Sequence, residues 1–129
     1  MYGFFANPTF DFDTTIEKVT AALKEEGFGV LTDIDVAATF KAKLDVEQRP
    51  YRILGACNPK LAHQAINADA DIGLLLPCNV VVREEADGQV TVAFMDPVAV
   101  LELVNKPEVS ALANDVKARL QRVQASLTS

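Results

Sequence analysis

The chain has 129 residues, 50% of them hydrophobic, with 12 basic against 18 acidic side chains and a net charge of −6. A single domain over 1–129 is the default at that length, with apolar content too high for a disordered chain and room for a core without metal or disulfide staples. The lack of a basic surplus argues against a nucleic-acid partner, and no apolar run reaches the roughly 18 residues of a membrane span.

The acidic side chains divide evenly, 9 before residue 51 and 9 after it, so no charged tail hides in the average. The N-terminus lacks a basic segment and meets Pro8 and Asp11 too early for a signal peptide. A cytoplasmic location is the expectation, and with it two free thiols rather than a structural disulfide at Cys57 and Cys78.

In chain order, residues 2–6 read as a first strand. Asp13 caps a helix running to about residue 26, with Ile16, Val19, Thr20 and Leu23 on one face and Gly27 as its stop. Residues 28–36 alternate as a half-buried strand, with Phe28, Val30, Ile34 and Val36 together. A short helix over 37–44 turns Phe40 and Leu44 inward, and Pro50 opens a third strand over 51–56. Asn58-Pro59 starts a helix striped by Leu61, Ala62, Ala65 and Ile66. The longest strand spans 72–83, with Leu74, Leu76, Cys78, Val80 and Val82 on one face. Ala86-Asp87-Gly88 is a hairpin turn into a strand over 89–95. An apolar helix follows over 97–104. A last helix begins at Pro107, where Val109, Leu112, Ala113, Val116, Leu120 and Val123 keep the helical period. The fold class is α+β: two layers, about five mainly antiparallel strands, and helices packed mainly on one face. The direct join of the last two strands speaks against a doubly wound parallel sheet.

The densest unusual chemistry lies in Gly55-Ala56-Cys57-Asn58-Pro59 and Leu76-Pro77-Cys78-Asn79-Val80, each a Cys-Asn pair beside a proline. Cys57 immediately precedes a helix N-terminus, where free N–H groups and the helix dipole stabilise a thiolate. Each cysteine lies six residues on from the start of its predicted strand, at Tyr51 and Ile72, so a crossover setting those strands parallel and adjacent would bring the thiols level. The competing reading is that both are small core residues, since unpaired cysteine is among the most buried types. Asp33 and Asp35 share a strand face, as paired carboxylates or as its wet side. His63, the one histidine, falls off its helix's apolar stripe, so a zinc site would need both cysteines, His63 and a distant carboxylate. Lys41, Lys43, Arg49 and Arg52 form a local basic cluster that suits a small anion or ordinary surface. No serine elbow, dinucleotide fingerprint or Walker loop is present, and no motif names a cofactor.

Gly27-Phe28-Gly29-Val30-Leu31-Thr32, then Ile34-Asp35-Val36, the run from Pro50 through Pro59, Leu61-Ala62, and the run from Gly73 through Val80 together resemble domain-of-unknown-function family 302 of bacteria and archaea. The resemblance covers roughly 13–97, leaving C-terminal helices over 97–125. It implies a fold similar to the TATA-binding protein (strand, helix, four strands, helix, with short helical insertions) and a homodimer. It does not imply DNA binding. Both Cys-Asn motifs match the family pattern, which makes Cys57, Asn58, Cys78 and Asn79 the candidate ligand-binding residues. The family carries no assigned activity.

Three functions compete. The first is a dimeric module holding a small ligand or soft metal ion near both thiols, in a pocket between Phe28, Val30, Leu76 and the stripe of 109–123. The second is an enzyme using Cys57 as nucleophile or redox thiol, activated by the helix N-terminus. The third is an interaction protein acting through a dimer surface that includes Met95 and the helix over 98–104.

Overall fold

The computed structural model describes residues 1–128. Five strands form one antiparallel sheet in the order β1-β5-β4-β3-β2: β1 Gly3–Ala6, β2 Gly29–Asp35, β3 Tyr51–Cys57, β4 Cys78–Glu84 and β5 Val90–Met95. The helices are α1 Phe12–Glu25, α2 Val36–Leu44, α3 Pro59–Ala68, α4 Pro97–Leu101 and α5 Pro107–Ser126, with short 3-10 turns at Ile72–Leu75 and Glu102–Val104. The expected α+β class, the strand count and the element order hold. Among the described residues no helix is long and apolar enough to cross a membrane.

Helix α1 starts two residues before the expected cap. Asp11, not Asp13, accepts the Thr14 N–H at 2.7 Å, and Thr15 rather than Thr20 joins the buried face. Asp13 sits instead in the first turn, where its charge faces the positive end of the dipole. At the other end the Phe28 N–H bonds to Leu23 O and the Gly27 N–H to Lys24 O, with Gly27 at φ +87°. That is a Schellman stop, closed by the buried pair Leu23 and Phe28.

Three sequence expectations fail for identifiable reasons. Strand β2 carries a bulge between Val30 and Thr32, so Val30 pairs with Ala56 but Thr32 with Gly55. The extra residue reverses the facing of everything after it, and Ile34 emerges 49% exposed instead of in the core. Helix α2 rests against β3 at the sheet's edge and has no buried residue; Phe40 and Leu44 are exposed, not inward. The predicted strand over 72–83 begins only at Cys78. Pro77 has no N–H to give the ladder, so residues 72–75 coil into a 3-10 turn and Leu74 is left exposed.

The core lies between the sheet and one layer of helices. Val80 and Val82 of β4, Val92 and Phe94 of β5, Leu54 of β3, Val19 and Leu23 of α1, and Leu120 and Val123 of α5 are fully buried in one cluster. Phe4 stacks on Phe94 with ring centroids 5.3 Å apart. A second, smaller cluster joins Ala65, Ile72, Leu101, Val109 and Ala113 across α3, the first 3-10 turn, α4 and α5.

Mid-strand Gly55 has a packing role. A Cβ there would lie 2.1 Å from Thr32 Oγ1 and 2.8 Å from Pro77 Cγ, whereas one on Gly29 meets nothing within 4 Å. Gly55→Ala is therefore expected to destabilise the fold by about 1–3 kcal/mol in urea unfolding, with Gly29→Ala within about 0.5 kcal/mol of the parent. Equal values for the two would contradict this packing.

Candidate functional site

The two core clusters do not close on each other. Between them lies a cavity of about 290 Å³. Its sheet wall is Phe28, Thr32, Ala56 and Cys78; α3 contributes Leu61, Ala62, Ala65 and Ile66; α4 and α5 contribute Leu101, Leu112 and Val116. Gly73, Leu76 and Pro77 border it from the segment before β4. The space has a local cause. Ala56, Ala62 and Ala65 stand where larger core residues would otherwise reach across the seam.

No lining residue is charged. Thr32, Asn58, Cys57 and Cys78 are the polar side chains on the wall. Cys57 ends β3, paired with Gly29, and is half-buried. Cys78 opens β4, paired with Ala56, and is buried. The expected parallel crossover is absent: β3 and β4 run antiparallel. Both residues border the cavity because the end of one strand meets the start of the other, with Ala56 and not Cys57 opposite Cys78. Burial, and secondarily negative charge on Cys57, pushes the Cys78 thiol pKa up to about 11.

Asn58 caps α3, its Oδ1 accepting the Leu61 N–H at 3.3 Å. Gly27 makes room for it, since a Cβ there would lie 2.9 Å from Asn58 Nδ2. The α1 stop and the α3 start are thus fitted to each other at the cavity's edge. Asn79 goes elsewhere. It pairs with Gly55, is exposed, and borders a different depression of about 320 Å³ on the open face of the sheet. The structure brings Cys57, Asn58 and Cys78 together and leaves Asn79 on the other side.

The remaining candidates have structural duties. Asp33 makes a two-pronged ion pair with Arg52, with Arg52 Nε at 2.8 Å, and those hydrogen bonds hold the carboxyl below its usual range. Asp35 caps α2 by accepting the Ala38 N–H at 2.9 Å. In the basic cluster Lys41 pairs with Asp45 and Glu47, each at 2.8 Å, and Arg52 is held by Asp33. His63 is exposed on α3, beside Asn67 at 3.4 Å. Among the described residues no three His, Cys, Asp or Glu side chains come together to hold a metal ion.

Of the pocket expected from sequence, Phe28, Leu76, Leu112 and Val116 line the cavity and Val30 does not. Thr32, Leu101 and the α3 alanines escaped sequence reading. The small residues on the α3 stripe are the signal that pointed to them, because alanine on a core-facing stripe leaves volume that its neighbours must fill.

No curated protein matches the chain. The crystal structure of an uncharacterized conserved protein DUF302 from Bacillus stearothermophilus is similar over 98% of each chain, with 29% identity and a TM-score of 0.91. The family model described as Domain of unknown function DUF302 matches residues 6–127, reaching well past the motifs at 27–80 and taking in all of α5. The chain belongs to the DUF302 family.

Proposed function

We infer that the protein is a binding domain for a small, neutral, largely apolar organic ligand, held in the cavity with Cys57, Asn58 and Cys78 at its polar end. The observation that carries this reading is a cavity of about 290 Å³ whose walls contain no charged side chain. The space opens to solvent past Leu31 and Ile66, so its hydrocarbon walls stand against water until something covers them. A ligand that fills it recovers the lost contacts. Pockets for small ligands are commonly of this order, mostly apolar, with a few convergent polar groups.

The homodimer belongs to the same proposal, and the open face of the sheet is its surface. Phe5, Ile53, Val81, Ala93 and Met95 lie there in register across four strands, on a face that would ordinarily be polar. Its central charge, Arg83, is answered by Glu85 at 2.6 Å, which leaves the face without net charge for two acidic copies to meet on. The α4 end of the expected surface contributes less: Pro97 and Leu101 are buried, although Leu103 is 79% exposed.

Titration with the neutral fluorophore N-phenyl-1-naphthylamine tests the ligand site. The parent is expected to bind it, and Ala62→Phe, which fills the cavity from α3, to weaken binding at least about ten-fold while circular dichroism is unchanged. Undiminished binding to a folded Ala62→Phe would place the dye elsewhere and contradict the reading. For the surface, sedimentation should give a dimer that Val81→Glu converts to monomer. A parent monomer, or a dimer indifferent to Val81→Glu, would remove the open face from the account.

A further inference from the structure

On the reading that the cavity binds a neutral apolar ligand, the chemistry of that ligand fixes where the protein meets it. The volume is about twice the roughly 150 Å³ that admits benzene, room for on the order of ten carbon atoms. Each methylene favours hydrocarbon over water by roughly four-fold, so a neutral molecule of that size favours lipid over water by on the order of a million-fold.

The mouth of the cavity carries side chains suited to a lipid surface. Leu31 and Ile66 line the cavity and are nonetheless 67% and 47% exposed. Gly73 is also on the lining and exposed, and it is followed directly by Leu74, 86% exposed. The three side chains come from β2, α3 and the first 3-10 turn, so they share a rim only in the folded chain. Two backbone devices set them outward. The bulge between Val30 and Thr32 leaves Leu31 without a ladder partner, and bulges of this kind re-aim a side chain. Pro77 keeps residues 72–75 out of β4, which leaves Leu74 outside the sheet. Charge then selects among lipid surfaces. No Lys or Arg lies within three residues of Leu31, Ile66 or Leu74 in the chain, whereas Asp33, Asp69 and Asp71 do. Arg52 answers Asp33 and Lys106 answers Asp69 at 3.5 Å, and Asp71 has no ion pair among the described residues. With a net charge of −6 on the chain, anionic headgroups are repelled and zwitterionic ones are not.

We propose that this rim docks on a zwitterionic lipid surface, setting Leu31, Ile66 and Leu74 among the headgroups so that the ligand passes between bilayer and cavity without crossing water. The contact is interfacial, its strength set by buried apolar area and by charge. Three aliphatic side chains with no cation beside them make it weak and reversible, which suits loading and release.

The chain has no tryptophan, so Leu74→Trp in the full chain puts a single reporter on the rim and outside the cavity lining. Its emission is expected to move to shorter wavelength, saturably, with phosphatidylcholine vesicles, and phosphatidylglycerol in the vesicles should weaken the response, most at low salt. Emission that ignores phosphatidylcholine, or a response that requires phosphatidylglycerol, would overturn the proposal. So would a blue shift in vesicle-free buffer that grows with protein concentration, because it gives the rim to a second copy. N-phenyl-1-naphthylamine bound to the parent should leave for phosphatidylcholine vesicles at a rate that rises with vesicle concentration. Leu74→Asp should cut that rate at least about ten-fold, the effect of withholding one leucine from the contact, while binding the dye in vesicle-free buffer as the parent does. A rate indifferent to vesicle concentration means that the dye leaves through water, and docking is then wrong. If the parent binds the dye but the rim ignores vesicles, docking fails and the binding reading stands. If the parent binds no dye, both fall.

Discussion

Helix α5 is the constraint on which the rest of the structure depends. Its inward residues, Val109, Ala113, Val116, Leu120 and Val123, follow one another at steps of four and three, so a single stripe faces the protein along the whole helix. Val109 and Ala113 belong to the small cluster with α3 and α4, whereas Val116, Leu120 and Val123 belong to the large cluster on the sheet. Helix α3 also touches both, through Leu61 in the large cluster and Ala65 in the small one, but α5 supplies more buried residues to each. Polar contacts hold it in place along its length. Lys106 donates to Ala68 O at the end of α3, and Lys117 reaches Asp96, the cap of α4, at 2.9 Å. Arg119 donates to Glu26 O after α1, while Arg122 binds the Glu26 carboxylate at 2.8 Å and holds it below its usual pKa. The exposed pairs among these add little stability singly. Their value lies in register, since each fixes a different point of the helix.

One straight helix laid across two clusters leaves a seam where they approach, and the side chains at that seam are small. The cavity follows from this geometry. Its sheet wall is the place where β3 ends and β4 begins, which is also where the chain carries its two cysteines. The chain leaves β3 through Asn58 into α3 and returns through Pro77 into β4. The antiparallel ladder begins at Ala56 opposite Cys78, so a thiol stands on each side of the crossing. Gly27 and Gly55 keep the crossing tight, one by receiving the Asn58 side chain and the other by letting Thr32 and Pro77 close over it. A buried Cys78 and a half-buried Cys57, both bordering an uncharged apolar space, are the result.

Much of this was legible in the sequence. The α5 stripe, the Asn58-Pro59 helix start, the Gly27 stop and the Asp87-Gly88 hairpin are local signals with local causes, and each appears where the residues put it. The sheet class followed from the direct β4–β5 join. What failed was non-local. A one-residue bulge in β2 turned Ile34 from the core face to the open face, and nothing in an alternating pattern announces a bulge. Pro77 withholds an N–H from the ladder, but the run of Ile72, Leu74 and Leu76 mimics alternation across it. At the site, the two Cys-Asn motifs looked equivalent on paper. Strand pairing separates them, because Asn58 is a helix cap beside the cavity and Asn79 is a strand residue facing the other way. The two cysteines reach the same end of the sheet through antiparallel pairing, with Ala56 and not Cys57 opposite Cys78, and not through a parallel crossover.

The account therefore rests on the seam being a genuine apolar space joined to the thiols. Methyl-resolved NMR during titration with naphthalene measures this most directly. The predicted result is saturable shifts at Leu61, Leu101, Leu112 and Val116, with Val82 and Val92 of the sheet core unmoved. Shifts centred on Val81 and Ala93 of the open face, or no saturable response at the seam, would contradict it.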